Sequence, residues 1–314
     1  MAAGYEADFL GAKYKTAFFT LFTPQPSDRN EAPPYPPFDE EYFEWIDLLE
    51  AVAAANSRFT MLELGAGFGR WTARGAAAAK QCGLPYTLIA VEAEPTHFEW
   101  LIQNLQDNGV SPEDCSLIHA AVTGKDGKIG FEADDDPAGS YGQSIGGSTE
   151  IDAISLPTLL KPLELVDLID MDVQGAEFEI IEGATGVLNQ KVKRIHIETH
   201  SNQLDSDILK LFRALHWKPH FLYAFNTADS TRWGRINFQG GTQSWLNPRL
   251  HERAEIRRVH TLQNSLTWRT VRMVRKVLDR TAPPDTLRRR LFNATLSGIG
   301  GKYRRDPEDI KRRG

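Results

Sequence analysis

Five carboxyl and imidazole side chains fall in two short runs whose spacing decides what they can do. In LIDMD, residues 168–172, Asp170 and Asp172 are two apart, so on a strand their carboxylates share one face, about 6–7 Å from each other. In VKRIHIETH, residues 192–200, His196, Glu198 and His200 share a face, opposite Ile195, Ile197 and Thr199. A histidine beside carboxylates can take a proton from a hydroxyl near neutral pH. His200 and Asp172 stand at the carboxyl ends of their strands, the edge at which open α/β sheets bind ligands. A fourth acid, Glu63, precedes Gly65, Ala66, Gly67 and Gly69. Such a turn reaches positive φ and lets a ligand lie on bare main chain. A dinucleotide fingerprint needs a glycine where Arg70 stands. An acid two residues before the first glycine would repel a pyrophosphate and favour a cationic ligand. Glu92, 27 positions after Gly65, ends an apolar run where an acid accepts hydrogen bonds from ribose hydroxyls.

The segments around these residues predict their supports. Phe59 to Leu64 reads as a short buried strand, closed by the glycines and followed by an Ala-rich helix from Trp71 to Gln81. Tyr86 to Val91 is a near-continuous apolar run, as in a parallel strand covered on both faces. A helix over 96–108, a strand over Ser116–Val122, and the strand 165–171 broken into a helix at Gly175 follow. Alternation of strands and helices predicts a doubly wound, mostly parallel α/β sheet. Upstream, Tyr42, Trp45, Ile46, Leu49 and Val52 form a helical stripe within 39–55, with Glu44, Asp47 and Glu50 largely off it. The glycine-rich stretch 124–150 predicts a hairpin and loop near the substrate mouth, its triplet Asp134–Asp136 solvated. Past a helix at 204–215, the segments HWKPHFLYAFN and RINFQGGTQSWLNPR read as closing strands, with Trp245 and Asn247 bordering the acceptor pocket.

The pair LELGAGFGRW and IDMDVQGAEFEIIEGA, with VEAEP between and IHIETH after, resembles the FkbM family of S-adenosylmethionine-dependent methyltransferases over roughly residues 58–225. The family usually has Glu where this chain has Gln174. The resemblance implies a class I, Rossmann-like methyltransferase fold with seven strands, and O-methylation, often of sugar hydroxyls in polysaccharides, glycolipids or natural products. It places S-adenosylmethionine against Glu63, Gly65, Ala66, Gly67, Gly69, Glu92, Ala93, Ala121 and Asp170, with Glu63 and Glu92 in one shared pocket. His200 is then the expected base and Asp172 the residue that orients it or the acceptor. A divalent ion on Asp172 and Glu198 is a second way to lower the hydroxyl pKa. A small natural product as acceptor, or a non-catalytic scaffold in a glycan-assembly complex, are the competing readings.

Charge divides the chain. Residues 1–248 hold 18 Lys and Arg against 35 Asp and Glu, a net of −17, whereas 249–314 hold 18 against 7, a net of +11. Three parts are expected: an arm at 1–57, the methyltransferase domain at 58–248 and a basic tail at 249–314. Within the tail, Val271, Val274, Val277 and Leu278 oppose Arg269, Arg272 and Lys276, an amphipathic pattern suited to an anionic membrane surface. No nucleic-acid reader motif accompanies the charge, so no nucleic acid is expected. Two cysteines, Cys82 and Cys115, give neither a disulfide framework nor metal-ligand spacing. Without a secretory signal or a long apolar run, the expected location is cytoplasmic, with possible peripheral contact at the inner membrane face.

Overall fold

The structure is a computed structural model that describes residues 4–19, 35–132, 136–143, 145–231 and 234–250. The chain divides into two compact units, 1–252 and 253–314. The expected basic helix at 265–280 and the acids Asp134 and Asp135 lie outside the described residues.

The arm contributes a hairpin of β1 (Tyr5–Ala7) and β2 (Lys13–Lys15), a 3-10 turn at Thr16–Phe18 and helix α1 (Glu41–Ala54). Then come β3 (Phe59–Leu64), α2 (Arg70–Gln81), β4 (Tyr86–Glu92), α3 (Pro95–Asp107) and β5 (Cys115–His119). A side sheet follows, built from β6 (Ala121–Thr123), β7 (Gly127–Phe131) and β8 (Thr149–Ser155), and then the short helix α4 (Leu156–Leu160). The second half runs β9 (Leu168–Met171), α5 (Glu177–Lys191), β10 (Arg194–Thr199), α6 (Asn202–Ala214) and β11 (Lys218–Tyr223). A ribbon of β12 (Thr227–Thr231) and β13 (Gly234–Phe238) precedes β14 (Gly241–Leu246).

The central sheet has seven strands in the order β11-β14-β10-β9-β3-β4-β5. β10, β9, β3, β4 and β5 run parallel, and β14 enters antiparallel between β10 and β11. This is the doubly wound class I methyltransferase arrangement that the sequence predicts.

Strand alternation sorts the two faces of the sheet. Leu62, Leu64, Ile169, Met171, Ile195 and Ile197 point to one face and pack with Ile180, Leu188 and Phe212 of α5 and α6. Phe59, Met61 and Leu168 point to the other, against Trp45, Leu48 and Val52 of α1 and Trp71 and Ala76 of α2. On this second face the apolar residues of β3 and β9 give way to Glu63 and Asp170, and β10 presents Arg194, His196 and Glu198. The register sets three of these side by side, Glu63 against Asp170 and Asp170 against His196. The site is therefore the polar half of a sheet face whose other half is core.

Four expectations are corrected. The run expected as one strand over Ser116–Val122 breaks at Ala120, so that β5 closes the main sheet and β6 starts the side sheet. RINF lies in the separate β12–β13 ribbon rather than in the main sheet. On α1 the buried face is Phe43, Trp45, Asp47, Leu48, Ala51 and Val52, while Leu49 is 36% exposed. Trp245 and Asn247 lie away from the acceptor pocket. Antiparallel β14 pairs Leu246 with Arg194, the first residue of β10, which carries Trp245 and Asn247 toward the amino edge of the sheet. There Trp245 stacks on Phe212, and Asn247 donates to the carbonyls of Asn189 and Val192.

Candidate active site

The turn after β3 holds Gly65, Gly67 and Gly69 at φ of +80°, +52° and +73°. A β-carbon on Gly65 would overlap the Asp172 carbonyl. Gly65 and Ala66 donate to the Val91 carbonyl at 3.0 Å, and Gly67 donates to Glu92 Oε2 at 2.6 Å. Glu92 Oε1 accepts from the Glu94 N–H at 2.7 Å. One carboxylate at the end of β4 thus shapes the glycine turn. Burial outweighs these bonds and pushes the Glu92 carboxyl up to about 7.

Two adjoining cavities open at this edge. The smaller, about 90 Å³, is bordered by Glu92, Ala93, His97, Ala121, Val122 and Tyr141. The larger, about 390 Å³, is bordered by Glu44, Glu63, Asp170, His196 and Glu198, among others. Gly65, Gly67, Tyr141, Asp172 and Gln174 line both. Glu63 and Glu92 therefore face neighbouring cavities with common walls rather than a single undivided pocket. Tyr141 lies over the turn, close to where a β-carbon on Gly67 would stand. Its ring stacks on His97 with centroids 4.1 Å apart and 3° between planes.

Acids dominate the larger cavity. Glu63 accepts from the backbone N–H groups of Trp71 (3.2 Å) and Thr72 (2.7 Å), the free donors at the start of α2. Burial, with Asp170 alongside, still pushes Glu63 up to about 8. Asp170 is raised by burial, and Glu44 is raised well above the ordinary range by burial and by Asp170 beside it. Glu198 is pushed up to about 8 by burial and by the charge of Asp172. These carboxyls crowd one another with few cations between them.

His196 differs from its neighbours. Its Nδ1 lies 2.8 Å from Oδ2 of Asp47, a fully buried residue of α1. Oδ1 of Asp47 accepts from Arg194 Nη1 and lies 3.0 Å from His220 Nδ1. Burial alone would raise the Asp47 carboxyl, but the bonds to His196 and His220 and the Arg194 charge hold it well below the usual range. Asp47 is thus ionised and can only accept, so His196 Nδ1 carries a proton toward it and Nε2 is the ring nitrogen left for another partner. A base oriented by a buried carboxylate is the recurring arrangement for activating a nucleophile.

His200 is placed otherwise than a free base requires. Its Nδ1 is 2.8 Å from Glu177 Oε1 and its Nε2 3.3 Å from Asp172 Oδ1. Burial opposes the imidazolium, but the bonds to these carboxylates prevail and raise the ring to about 10. With both nitrogens engaged, it has no lone pair for an acceptor. Asp172 Oδ1 also accepts from Gln174 Nε2 at 2.7 Å, so Gln174 holds the carboxylate that the family's Glu would repel. Asp172 and Glu198 both reach the larger cavity, whereas the side chains that converge with Asp172 are Glu177 and His200. Asp47, Glu44, Glu177, His97, Tyr141 and the role of His196 escape the sequence reading. For Tyr141 the available signal was an aromatic ring within a glycine-rich loop.

An α/β fold whose glycine turn and strand-end acids frame a two-chambered cleft defines the class: a methyltransferase. The family model described as the methyltransferase FkbM domain matches residues 63–218, about half of the chain. It is similar to a putative methyltransferase from Jannaschia sp. (strain CCS1), 27% identical over 68% of this chain and 82% of the relative. It is also similar to the hexuronic acid methyltransferase AglP of Haloferax volcanii, 28% identical over 41% of this chain and 54% of that protein. Among solved structures, methyltransferase FkbM from Methylobacillus flagellatus is similar at 12% identity and a TM-score of 0.42, covering 61% of this chain and 44% of the other. Among the described residues, no helix is long and apolar enough to cross a membrane.

Proposed function

We propose that this methyltransferase uses S-adenosylmethionine and transfers its methyl group to a hydroxyl of a sugar, in a polysaccharide or a lipid-linked glycan. The residues fit that cofactor: glycines leave bare main chain as a floor, and the acids around it suit a ligand with sulfonium and ammonium charges. Glu92 would accept from the ribose hydroxyls, Ala93 and Ala121 would border the adenine, and Glu63 and Asp170 would offset the positive charge. The bound cofactor supplies an electrophilic methyl group; everything else falls to the chain. The larger cavity would hold the acceptor beside His196, and His196 Nε2 would take the hydroxyl proton as the methyl carbon's bond to sulfur breaks and its bond to that oxygen forms, leaving a neutral thioether. Asp47 keeps Nδ1 protonated and stabilises the resulting imidazolium. Orientation of acceptor and base in one cavity contributes much of the acceleration.

The observation that carries this reading is the Asp47–His196 pair opening on a cavity that shares walls with the glycine turn. The cavity also selects among acceptors. Glu40, Glu41 and Asp172 line it, and Arg70 is engaged by Glu41. A carboxylate-bearing sugar would be repelled, so a neutral sugar is favoured over a uronic acid such as the Haloferax relative's name gives. The test is incubation with deuterated S-adenosylmethionine and paired neutral and uronic nucleotide sugars or glycolipids, read by mass spectrometry. A methyl ether on a neutral sugar, lost in His196→Asn with cofactor affinity kept, is the expected result; methylation of nothing but the uronic member would overturn it. The basic segment 249–314 is proposed to dock the enzyme on an anionic membrane surface. Its deletion should abolish sedimentation with anionic vesicles and leave turnover of a soluble acceptor intact.

A further inference from the structure

We propose that Asp172, Glu177 and His200 form a binding site for a divalent first-row metal ion at the carboxyl edge of β9 and β10. The three side chains come from separate places: the end of β9, the first residue of α5 and the residue after β10. Each offers a donor atom, and these atoms all lie within 4.8 Å of one another. Ligands bound at about 2.1 Å stand about 3 Å apart when adjacent on an ion and about 4.2 Å when opposite, so a shift of about half an ångström closes the set.

A second observation points to a missing ligand. Glu177 is fully buried, yet among the described residues its Oε2 has no hydrogen-bond partner. Its Oε1 already accepts from Gly175 N–H at 3.0 Å and faces His200 Nδ1. A buried carboxylate oxygen without a donor is costly, and native structures seldom leave one without a reason. A cation accounts for it.

An ion would take the place of one His200 ring proton and leave the other nitrogen on its carboxylate. Metal-bound histidines usually give their second ring nitrogen to a carboxylate, which fixes ring orientation and tautomer. Here one nitrogen faces Asp172 and the other Glu177. Gln174 anchors one oxygen of Asp172, and Gly175 anchors one oxygen of Glu177. Two carboxylates with one imidazole favour Mn²⁺ or Zn²⁺ over Ca²⁺, which takes oxygen ligands. Asp172 also lines both cavities, so the ion would stand beside the acceptor. That part of the inference rests on the proposed function: an ion there lowers the pKa of the hydroxyl that His196 deprotonates.

The experiment is calorimetric titration of chelator-treated, full-length protein with MnCl₂, ZnCl₂ and CaCl₂, with Mn²⁺ binding followed in parallel by electron paramagnetic resonance. One equivalent of Mn²⁺ or Zn²⁺ should bind at micromolar concentration, and Ca²⁺ far more weakly. His200→Ala and Asp172→Asn should each weaken binding by about 10–100-fold while circular dichroism shows that the fold is retained. Glu177 also supports the loop at Gly175, so the test relies on the other two ligands. No saturable binding of either ion at millimolar concentration overturns the proposal, as does binding that His200→Ala leaves unchanged. S-adenosylmethionine titrated into the same samples separates the two claims: cofactor binding without metal binding counts against this site alone, and the reverse against the proposed function alone.

Discussion

Replacing Asp47 by Asn keeps the side chain's shape and removes its charge. Asp47 is the one carboxylate in contact with Arg194 Nη1, His196 Nδ1 and His220 Nδ1 at once, and it is fully buried. Removing one partner of a buried ion pair costs about 3–5 kcal/mol, because the remaining charge is left without compensation. Glu50 still pairs with Arg194 Nη2 at 2.7 Å, which puts the expected loss toward the lower end. Against a total stability of about 5–15 kcal/mol this is a large fraction. In urea, with a slope of roughly 3 kcal/mol/M, the midpoint should fall by roughly 1 M or more at pH 7 with the slope unchanged. The sign of the pH dependence follows. The native pKa of Asp47 lies below the unfolded value of 3.8, so its contribution is full above that value and lost as pH falls toward the native one. The gap between wild type and variant should therefore close in acid. Glu50 is half-exposed, and Glu50→Gln should cost less than about 1 kcal/mol. Equal losses for the two variants, or a constant gap from pH 7 to pH 3, would refute the buried-network argument.

Three further outcomes are expected. Glu92→Gln removes a charged acceptor for the ribose, worth about 1.5–3 kcal/mol, so S-adenosylmethionine affinity measured by calorimetry should fall by about 10–150-fold; an unchanged constant would place the ribose elsewhere. Gly65→Ala forces a left-handed alanine, about 1–2 kcal/mol, and adds a clash with the Asp172 carbonyl, so thermal unfolding should shift down along with cofactor affinity, and a variant as stable as the parent contradicts the turn geometry. Glu63 and Glu92 have native pKa values of about 8 and about 7 against 4.5 unfolded, so the folded state holds protons more tightly and cofactor-free stability falls as pH rises from 4.5 toward 8. His200 acts in the same direction above 6.5, its unfolded value. Stability in urea that climbs over this range would show that these acids are not buried as described.

The sequence carried the frame because strand and helix periods are local. Phe59–Leu64, the glycine turn, Tyr86–Glu92 and LIDMD each declare themselves within a few residues, and all lie where their patterns predict. It failed where a residue's meaning lies in a distant partner. Asp47 lies on the buried face of α1, and only Arg194, His196 and His220, 147 to 173 residues on, explain its burial. His196 and His200 are equivalent in a period-two reading. One is backed by a single carboxylate, while the other is clasped between two, a difference set by α1 and α5 rather than by β10. Trp245 and Asn247 were misplaced because nothing in GTQSWLN states that the strand runs antiparallel.

β14 is the last described strand in the chain but sits inside the sheet, between β10 and β11. During synthesis, the edges of both neighbours remain unpaired from the time residue 223 emerges until residue 246 does. At about 5–20 residues per second that interval is roughly one to five seconds, long enough for open strand edges on neighbouring nascent chains to find one another. Translation speed across codons 224–246 should therefore govern how much of the product escapes aggregation.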